Sequence, residues 1–516
     1  MIWHIFFKDC RVLWKIAALA GAVHVVNSLV SIILGPFMQP DQLQILGYIF
    51  PYLSMLSLAA IVAATVHQEP IPGTEQDWLV RPIVRSDLLA AKFLFILLIG
   101  QGPLLFADLL ECLALGFHIS TSFEAAIADG VSKFLLITIP VFGIATVTRN
   151  MTETIVGGIG LVLVCAVGML VTSLVIKIPA PISGSGIEWL RSVVIAALFA
   201  ATASLVLPLQ YLRRRTRLSR GIIAISAAFF AFAWMFVPWT PSYALQQHLG
   251  AQRSESSSLE FRVAPRSELT RSPANTGSSG HFDALQFMLP IRVTGVTDPR
   301  AILLLDRAHF RLIDADGLIL YETSTHSFFE GRARIDMTAA ANGEGLIAQQ
   351  VLYIPRSVYV EAGDEPVNLQ VNYAVTVLSP VTPLRVNVNG SVAKDSSGLS
   401  CIARNDSKDA DVDLACLTPL TPPSCVNVVL VHAPSGTHNA ALDACRPNYS
   451  PFPFGLPIHL VRRFGAEIPT SDPMTRSPLP VGPLLAKASD VVITPYETQA
   501  HITRRIVVKN IRLSDW

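Results

Sequence analysis

Residues 67–92 read HQEPIPGTEQDWLVRPIVRSDLLAAK, from His67 to Lys92. This is the long polar interruption of an otherwise apolar first half, with three prolines, one tryptophan and the arginines Arg81 and Arg85. Apolar runs at 46–66 and 88–110 flank it, each long enough to cross a bilayer core at about 20 residues per helix. Pro70 and Pro72 stop the preceding run and Gly73 permits a turn. Glu75 to Val80 can then form a short helix with one polar and one apolar face. Pro82 ends it, because the residue before a proline avoids the helical region. Ser86 can cap the next span. The stretch therefore predicts a short helix lying along the membrane surface and tied at both ends to spans.

Working outward, the same apolar pattern recurs. Five further segments, at 16–37, 131–148, 154–176, 190–212 and 220–238, bring the expected spans to seven. Ahead of them, residues 1–15 place His4, Lys8, Arg11 and Lys15 on one stripe of a helix, with Trp3, Phe6, Phe7, Cys10 and Leu13 covering much of the remainder. That pattern predicts an amphipathic helix in the membrane interface. A signal-peptide start is the competing reading, disfavoured because no small-residue cleavage site stands out.

Charge sets the orientation. With the N terminus inside, eleven basic residues fall on cytoplasmic segments: Lys8, Arg11, Lys15, Arg81, Arg85, Arg149, Arg213, Arg214, Arg215, Arg217 and Arg220. Only Lys177 and Arg191 fall outside. The bias follows the positive-inside rule, and an odd number of spans sends everything after 240 outward. Near the outer ends of the third and fourth spans lie Asp108, Glu111, Asp129 and Lys133. A proton relay is one reading of such residues. Their shallow depth favours plain interfacial solvation, with Asp108 and Lys133 as a pair. Gly100, Gly102 and Pro103 predict a kink in the third span.

The second half differs in kind. The chain has 516 residues, a mean hydropathy of +0.48 and 15% charged residues, against about 25% in soluble domains. Of its 77 charged residues (39 basic and 38 acidic), 27 fall in 1–240 and 50 in 241–516. A net charge of +1 supplies no basic field for nucleic acid. Residues 241–283 read as linker, with a strand at Leu259–Val263. Period-two alternation then recurs from Phe287 to Leu513, with no long amphipathic helix. It predicts an all-β extracytoplasmic region of β-sandwich modules at 284–380 and 384–516; one larger sandwich is the alternative.

Cys401, Cys416, Cys425 and Cys445 fall in this region, which suggests disulfides in an oxidising compartment. Three pairings are open; one joins Cys401 to Cys416 and Cys425 to Cys445. No CxxC pair supports zinc. Asp314-Ala315-Asp316-Gly317 reads as a hairpin turn rather than a calcium loop. Asp406, Asp409, Asp411 and Asp413 read as a solvated hairpin tip. His432 and His438 with Ser435 lack a nucleophile elbow. No metal site, cofactor or catalytic constellation is expected, and the chain does not read as an enzyme.

The run Asp77-Trp78-Leu79-Val80-Arg81-Pro82-Ile83-Val84-Arg85-Ser86-Asp87-Leu88-Leu89-Ala90-Ala91-Lys92 resembles the "WLxRPxxRxxLLxAK" stretch after the second span of ABC-2 type transporter permeases. The resemblance covers about residues 1–217. It implies an interfacial N-terminal helix (1–15), a six-span permease core (16–217) and a dimer of permease halves. In that family the loop is the coupling helix on which an ABC ATPase docks, so Glu75, Asp77, Trp78, Arg81 and Arg85 are the implied ATPase contacts. No GxxxxGK[ST] loop occurs in the chain, so the ATPase is expected to be a separate subunit. The seventh span (218–240) and the exported half depart from the family pattern. They leave substrate and direction open, and they motivate the alternative: a multi-pass plasma-membrane anchor presenting an extracytoplasmic β-sandwich binding or sensing domain without transport.

Overall fold

The computed structural model describes residues 1–34, 41–69, 84–176, 188–236, 259–265, 284–295, 298, 300–325, 334–336, 346–395, 398–405, 411–417, 425–432, 437–443, 461–467 and 489–515. Among these residues, six helices are long and apolar enough to cross a membrane. They lie within α1 (Ile2–Leu34), α2 (Asp41–His67), α3 (Arg85–Ala114), α4 (Ile119–Val147), α5 (Met151–Ile176) and α6 (Glu188–Tyr211). A further helix, α7 (Thr216–Phe236), folds back along α6. Thr202 on α6 meets Ser226 at 2.7 Å, and Phe199 stacks on Phe230 at 5.9 Å.

The N-terminal segment differs from expectation. Residues 1–15 and the first span form one continuous helix, α1. The reason is local: from Ile2 to Ala20 the chain contains neither proline nor glycine, so nothing interrupts the hydrogen-bond ladder. Ile5, Phe6 and Leu13 on its inner stripe join the helical core with Leu58, Ile61, Phe95 and Phe142.

Two spans leave α geometry midway. Ile96–Gly100 in α3 and Phe134–Thr138 in α4 are single π turns. Such turns concentrate at functional positions in helices. Gln101 Nε2 donates to Thr138 Oγ1 at 2.7 Å and joins the ends of the two. Toward the α3–α4 turn, Gly130 lets α3 and α4 approach: a Cβ there would lie 2.7 Å from Leu105.

The C-terminal half is β-rich. A three-stranded antiparallel sheet contains β1 (Glu260–Val263), β2 (Ala284–Thr294) and β6 (Leu346–Pro355) in the order β1-β2-β6. An eight-stranded sheet joins β3 (Ile302–Ile313), β4 (Ile319–Thr325), β5 (Arg334–Asp336), β7 (Val367–Pro380), β8 (Leu384–Asn387), β12 (Cys425–His432), β13 (Thr437–Asp443) and β15 (Ser489–Ile511). A four-stranded sheet contains β9 (Asn389–Lys394), β10 (Ser400–Asn405), β11 (Asp411–Leu417) and β14 (Val461–Glu467). The short helix α8 (Arg356–Ala362) links β6 to β7.

These strands build two cores. The first gathers Phe261, Ile291 and Ile354 of the three-stranded sheet with Phe310, Tyr373, Ile502 and Ile506 of the eight-stranded one. The second gathers Cys401, Leu414 and Cys416 with Val386, Val428, Val491 and Ile493. Strand β15 supplies both. Its first part pairs with β8 and its second with β7, along the same edge, so one long ribbon runs through both cores. The expected boundary at 380–384 falls where that ribbon passes from β7 to β8.

One local expectation is met, and one question the sequence left open is answered. The Asp314 stretch turns the β3–β4 hairpin: Asp314 Oδ1 accepts from the Leu318 amide at 2.8 Å, and Gly317 takes the positive φ the turn requires, +89°. Cys401 and Cys416 face each other in register on β10 and β11 and form a disulfide. Cys445 and the side chain of Cys425 lie outside the described residues, as do Asp406 and Asp409.

Candidate functional site

The helix ends beside the loop 67–92, called inner for that neighbour alone, are tied together by charge. Lys92 sits two turns into α3, where the polar loop becomes a span. Its ammonium lies 2.8 Å from Asp9 Oδ2 on α1 and 3.3 Å from Glu69 Oε2 just past α2. Lys8 pairs with the other oxygen of Glu69 and lies 4.0 Å from Asp9 Oδ1. Asp9 and Lys92 are both fully buried. Two ammoniums therefore face two carboxylates and hold three helix ends in one knot. Ionic groups so placed persist only when paired, because removing one partner leaves an uncompensated charge at a cost of about 3–5 kcal/mol.

A polar collar surrounds the knot. Arg85 Nη1 donates to the Leu212 carbonyl at 2.7 Å, just beyond the C-terminal end of α6, where unsatisfied carbonyls attract cations. Asn150 caps α5 by accepting from the Glu153 amide at 2.7 Å. Glu153 pairs with Arg220 of α7 at 3.2 Å, and the Arg220 guanidinium also donates to the Val147 carbonyl at the end of α4. His67 at the end of α2 lies 2.6 Å from Thr154. A displacement of the start of α3 is thus felt by α1, α2 and α6.

Of the residues expected to contact an ATPase, Arg85 lies at this end of the bundle, where it holds the Leu212 carbonyl. Glu75, Asp77, Trp78 and Arg81 lie outside the described residues. Sequence reasoning missed Asp9 and Glu69. The available signal was that each is an acid at the border of a long apolar run.

A second cluster occupies the opposite end of α3 and α4. Lys133 Nζ lies 2.5 Å from Asp129 Oδ2 and 3.5 Å from Asp108 Oδ2. Glu111 accepts from Ser31 Oγ of α1 at 2.6 Å. Further in, Lys133 lines a small cavity of mixed character with His24, Asn27, Ser54, Leu58 and Leu104, where His24 Nδ1 meets Ser54 Oγ at 2.6 Å. The expected pairing of Asp108 with Lys133 is present. The expected solvation of these residues is not: Asp108, Glu111, Asp129 and Lys133 are 4%, 5%, 4% and 7% exposed.

The physical reason is a cover supplied by the β region. Cys112, Leu115, Phe117 and Ala126 around the α3–α4 turn share one apolar cluster with Ile402, Ala415, Leu417 and Val461 of β10, β11 and β14. Cys112 lies one helical turn beyond Asp108, and Ala126 one turn before Asp129. Lys394 of β9 pairs with Glu124 of α4 at 3.3 Å. At the turn itself Gly116 has φ +88°, and a Cβ there would lie 2.5 Å from Arg404 Nη2. The four-stranded sheet therefore rests on the turn and seals the acids beneath it.

Among the described residues, no group of histidine, cysteine and carboxylate side chains has the arrangement of a metal site. No family model, curated protein or solved structure matches the chain.

Proposed function

We propose that the chain is the membrane-spanning permease subunit of an ATP-driven transporter of the ABC-2 type, coupled to a separate ATPase chain through the loop 67–92. The observation that carries this reading is the place of Lys92. The residue that closes the family-like run is the centre of the buried knot with Asp9 and Glu69. A partner that moves the loop would therefore move α1, α2 and α3 together. In this reading residues 16–217 are the six-span core, two copies line a path at their interface, and α7 is a seventh span. The N terminus faces the cytoplasm, and the strands form two β-sandwich modules on the outer side of the plasma membrane.

The test is Trp78→Ala in the loop. It is expected to uncouple ATP hydrolysis from transport while membrane insertion and helical content stay unchanged. Coupling equal to the wild type would remove the assignment.

A second reading draws on the seal between the four-stranded sheet and the α3–α4 turn. A polytopic anchor presenting a sensing domain would need such a junction to pass a signal inward, with no transport. It predicts that the purified protein carries no ATPase.

A further inference from the structure

The outward face of the eight-stranded sheet is not uniformly covered. On β3 the residues opposite the core are Arg307, His309 and Arg311, and their neighbours on β7 are Ala374, Asn372 and Gln370. Ala374 is paired with Arg307 on one side and Thr503 of β15 on the other. A methyl group among long side chains leaves a pit. Arg307, His309, Arg311, Glu322, Asn372, Ala374 and Thr503 line a hollow of about 420 Å³.

The charges of this hollow do not cancel. Glu322 Oε1 takes both His309 Nε2, at 2.6 Å, and Arg311 Nη2, at 3.1 Å. Arg505 beside it donates to Gln370 at 2.8 Å. Arg307 has no carboxylate among the described residues, and its Nε–H is buried without a hydrogen-bond partner. A buried donor left unmade is costly, about 1–3 kcal/mol, and native structures rarely tolerate it without a reason. An oxyanion entering above Ala374 would meet the guanidinium of Arg307, which lines the hollow, in a charge-assisted bond, with Asn372 and Thr503 as neutral donors.

We propose that this hollow is a binding site for a small oxyanion, a carboxylate or phosphoryl group presented from the outer side, with Arg307 as its principal donor. The site goes beyond the transport reading and does not depend on it.

The full chain in phosphatidylcholine nanodiscs supplies the test, with thermal unfolding followed by tryptophan fluorescence. Inorganic phosphate and glucuronate are titrated separately, each against chloride at matched ionic strength. Phosphate, glucuronate or both are expected to raise the midpoint saturably, and chloride is not. A response to phosphate alone would identify a phosphoryl group, and one to glucuronate alone a sugar-acid carboxylate. Arg307→Gln is expected to raise the half-saturating concentration at least tenfold. Ala374→Glu places a carboxylate of the chain itself in the pit; it is expected to abolish the response while melting no lower than the wild type. The second variant decides the matter if the first does not fold. No saturable response to either anion would overturn the site, as would an undiminished response in Ala374→Glu.

Discussion

The two ends of the helical bundle handle buried charge in opposite ways. At the inner end two lysines meet two carboxylates, and Lys8 keeps 36% of its side chain exposed. At the opposite end, beside the α3–α4 turn and called outer below, Lys133 is the one cation among the described residues that faces Asp108, Asp129 and the neighbouring Glu111, and all four are almost fully buried. The inner knot is balanced, open to solvent on one side and contiguous with the loop 67–92. The outer cluster carries an excess of acid and is closed by a sheet contributed from residues hundreds of positions downstream. The first is suited to a joint, because each carboxylate faces both lysines and Lys8 reaches solvent. The second depends on its lid, because exposure or loss of its ammonium changes its energy steeply.

The sharpest way to break this contrast is to remove the cation at each end. Lys133→Met leaves several acids facing one another in a sealed site and is expected to be the most damaging single change. The cost is about 3–5 kcal/mol or more, seen as loss of monodisperse protein in fluorescence-detected size exclusion. Lys92→Met leaves Lys8 to neutralise Glu69, so its loss should fall at or below the lower end of that range. The double variant Lys92→Met/Asp9→Leu is expected to recover most of it, since a buried pair replaced by apolar groups is often neutral. Equal damage at the two ends, measured by the same melting assay, would erase the distinction.

Smaller effects probe the lid. Cys401 and Cys416 clamp the strands that rest on the α3–α4 turn, and they close a loop of 15 residues, which corresponds to about 3 kcal/mol in the chain-entropy picture. Reduction should loosen β10 and β11 first, visible as faster amide exchange there and then at the outer ends of α3 and α4. Gly116→Ala forces a side chain into a positive φ and against Arg404, at about 1–2 kcal/mol. It should weaken the seal without touching the inner knot. Away from both ends, the Arg311 hydrogen bond, with His309 beside it, holds the Glu322 carboxyl below its ordinary value. A lowered carboxyl contributes stability above its unfolded value, and that contribution is lost as pH falls through the folded one. In Glu322→Gln the decline of the β-region melting point below the usual carboxylate range should therefore be slightly shallower. The pair is exposed and screened, so this is the smallest effect expected.

What the sequence made legible follows the range of the interactions. The spans were readable because each is decided by its own 20 or so side chains against hydrocarbon. The hairpin turn at Asp314–Gly317 and the alternation of β7 are local for the same reason. The continuity of α1 was hidden by the polar stripe of Lys8, Arg11 and Lys15, which reads as an interfacial helix unless a break is required and found missing. The run of β15 through two cores was hidden because its partners, β7, β8 and β12, are set by tertiary pairing. The acids near the outer ends of α3 and α4 looked solvated because their cover comes from Ile402, Ala415, Leu417 and Val461, which no local pattern links to them. At the inner end Arg85 could be singled out from the loop it borders, whereas Lys92 read only as the end of that run, and Asp9 and Glu69 acquire meaning only once Lys92 is placed between them.

The central claim is that the inner knot is the joint between a loop-bound ATPase and the spans. A mild-detergent pull-down of the tagged protein, from cells expressing its native gene neighbourhood, tests it most directly. The account predicts a stoichiometric ATPase carrying a phosphate-binding loop, lost in Trp78→Ala/Arg81→Ala and retained in Lys92→Met. A clean preparation with no ATPase would contradict it.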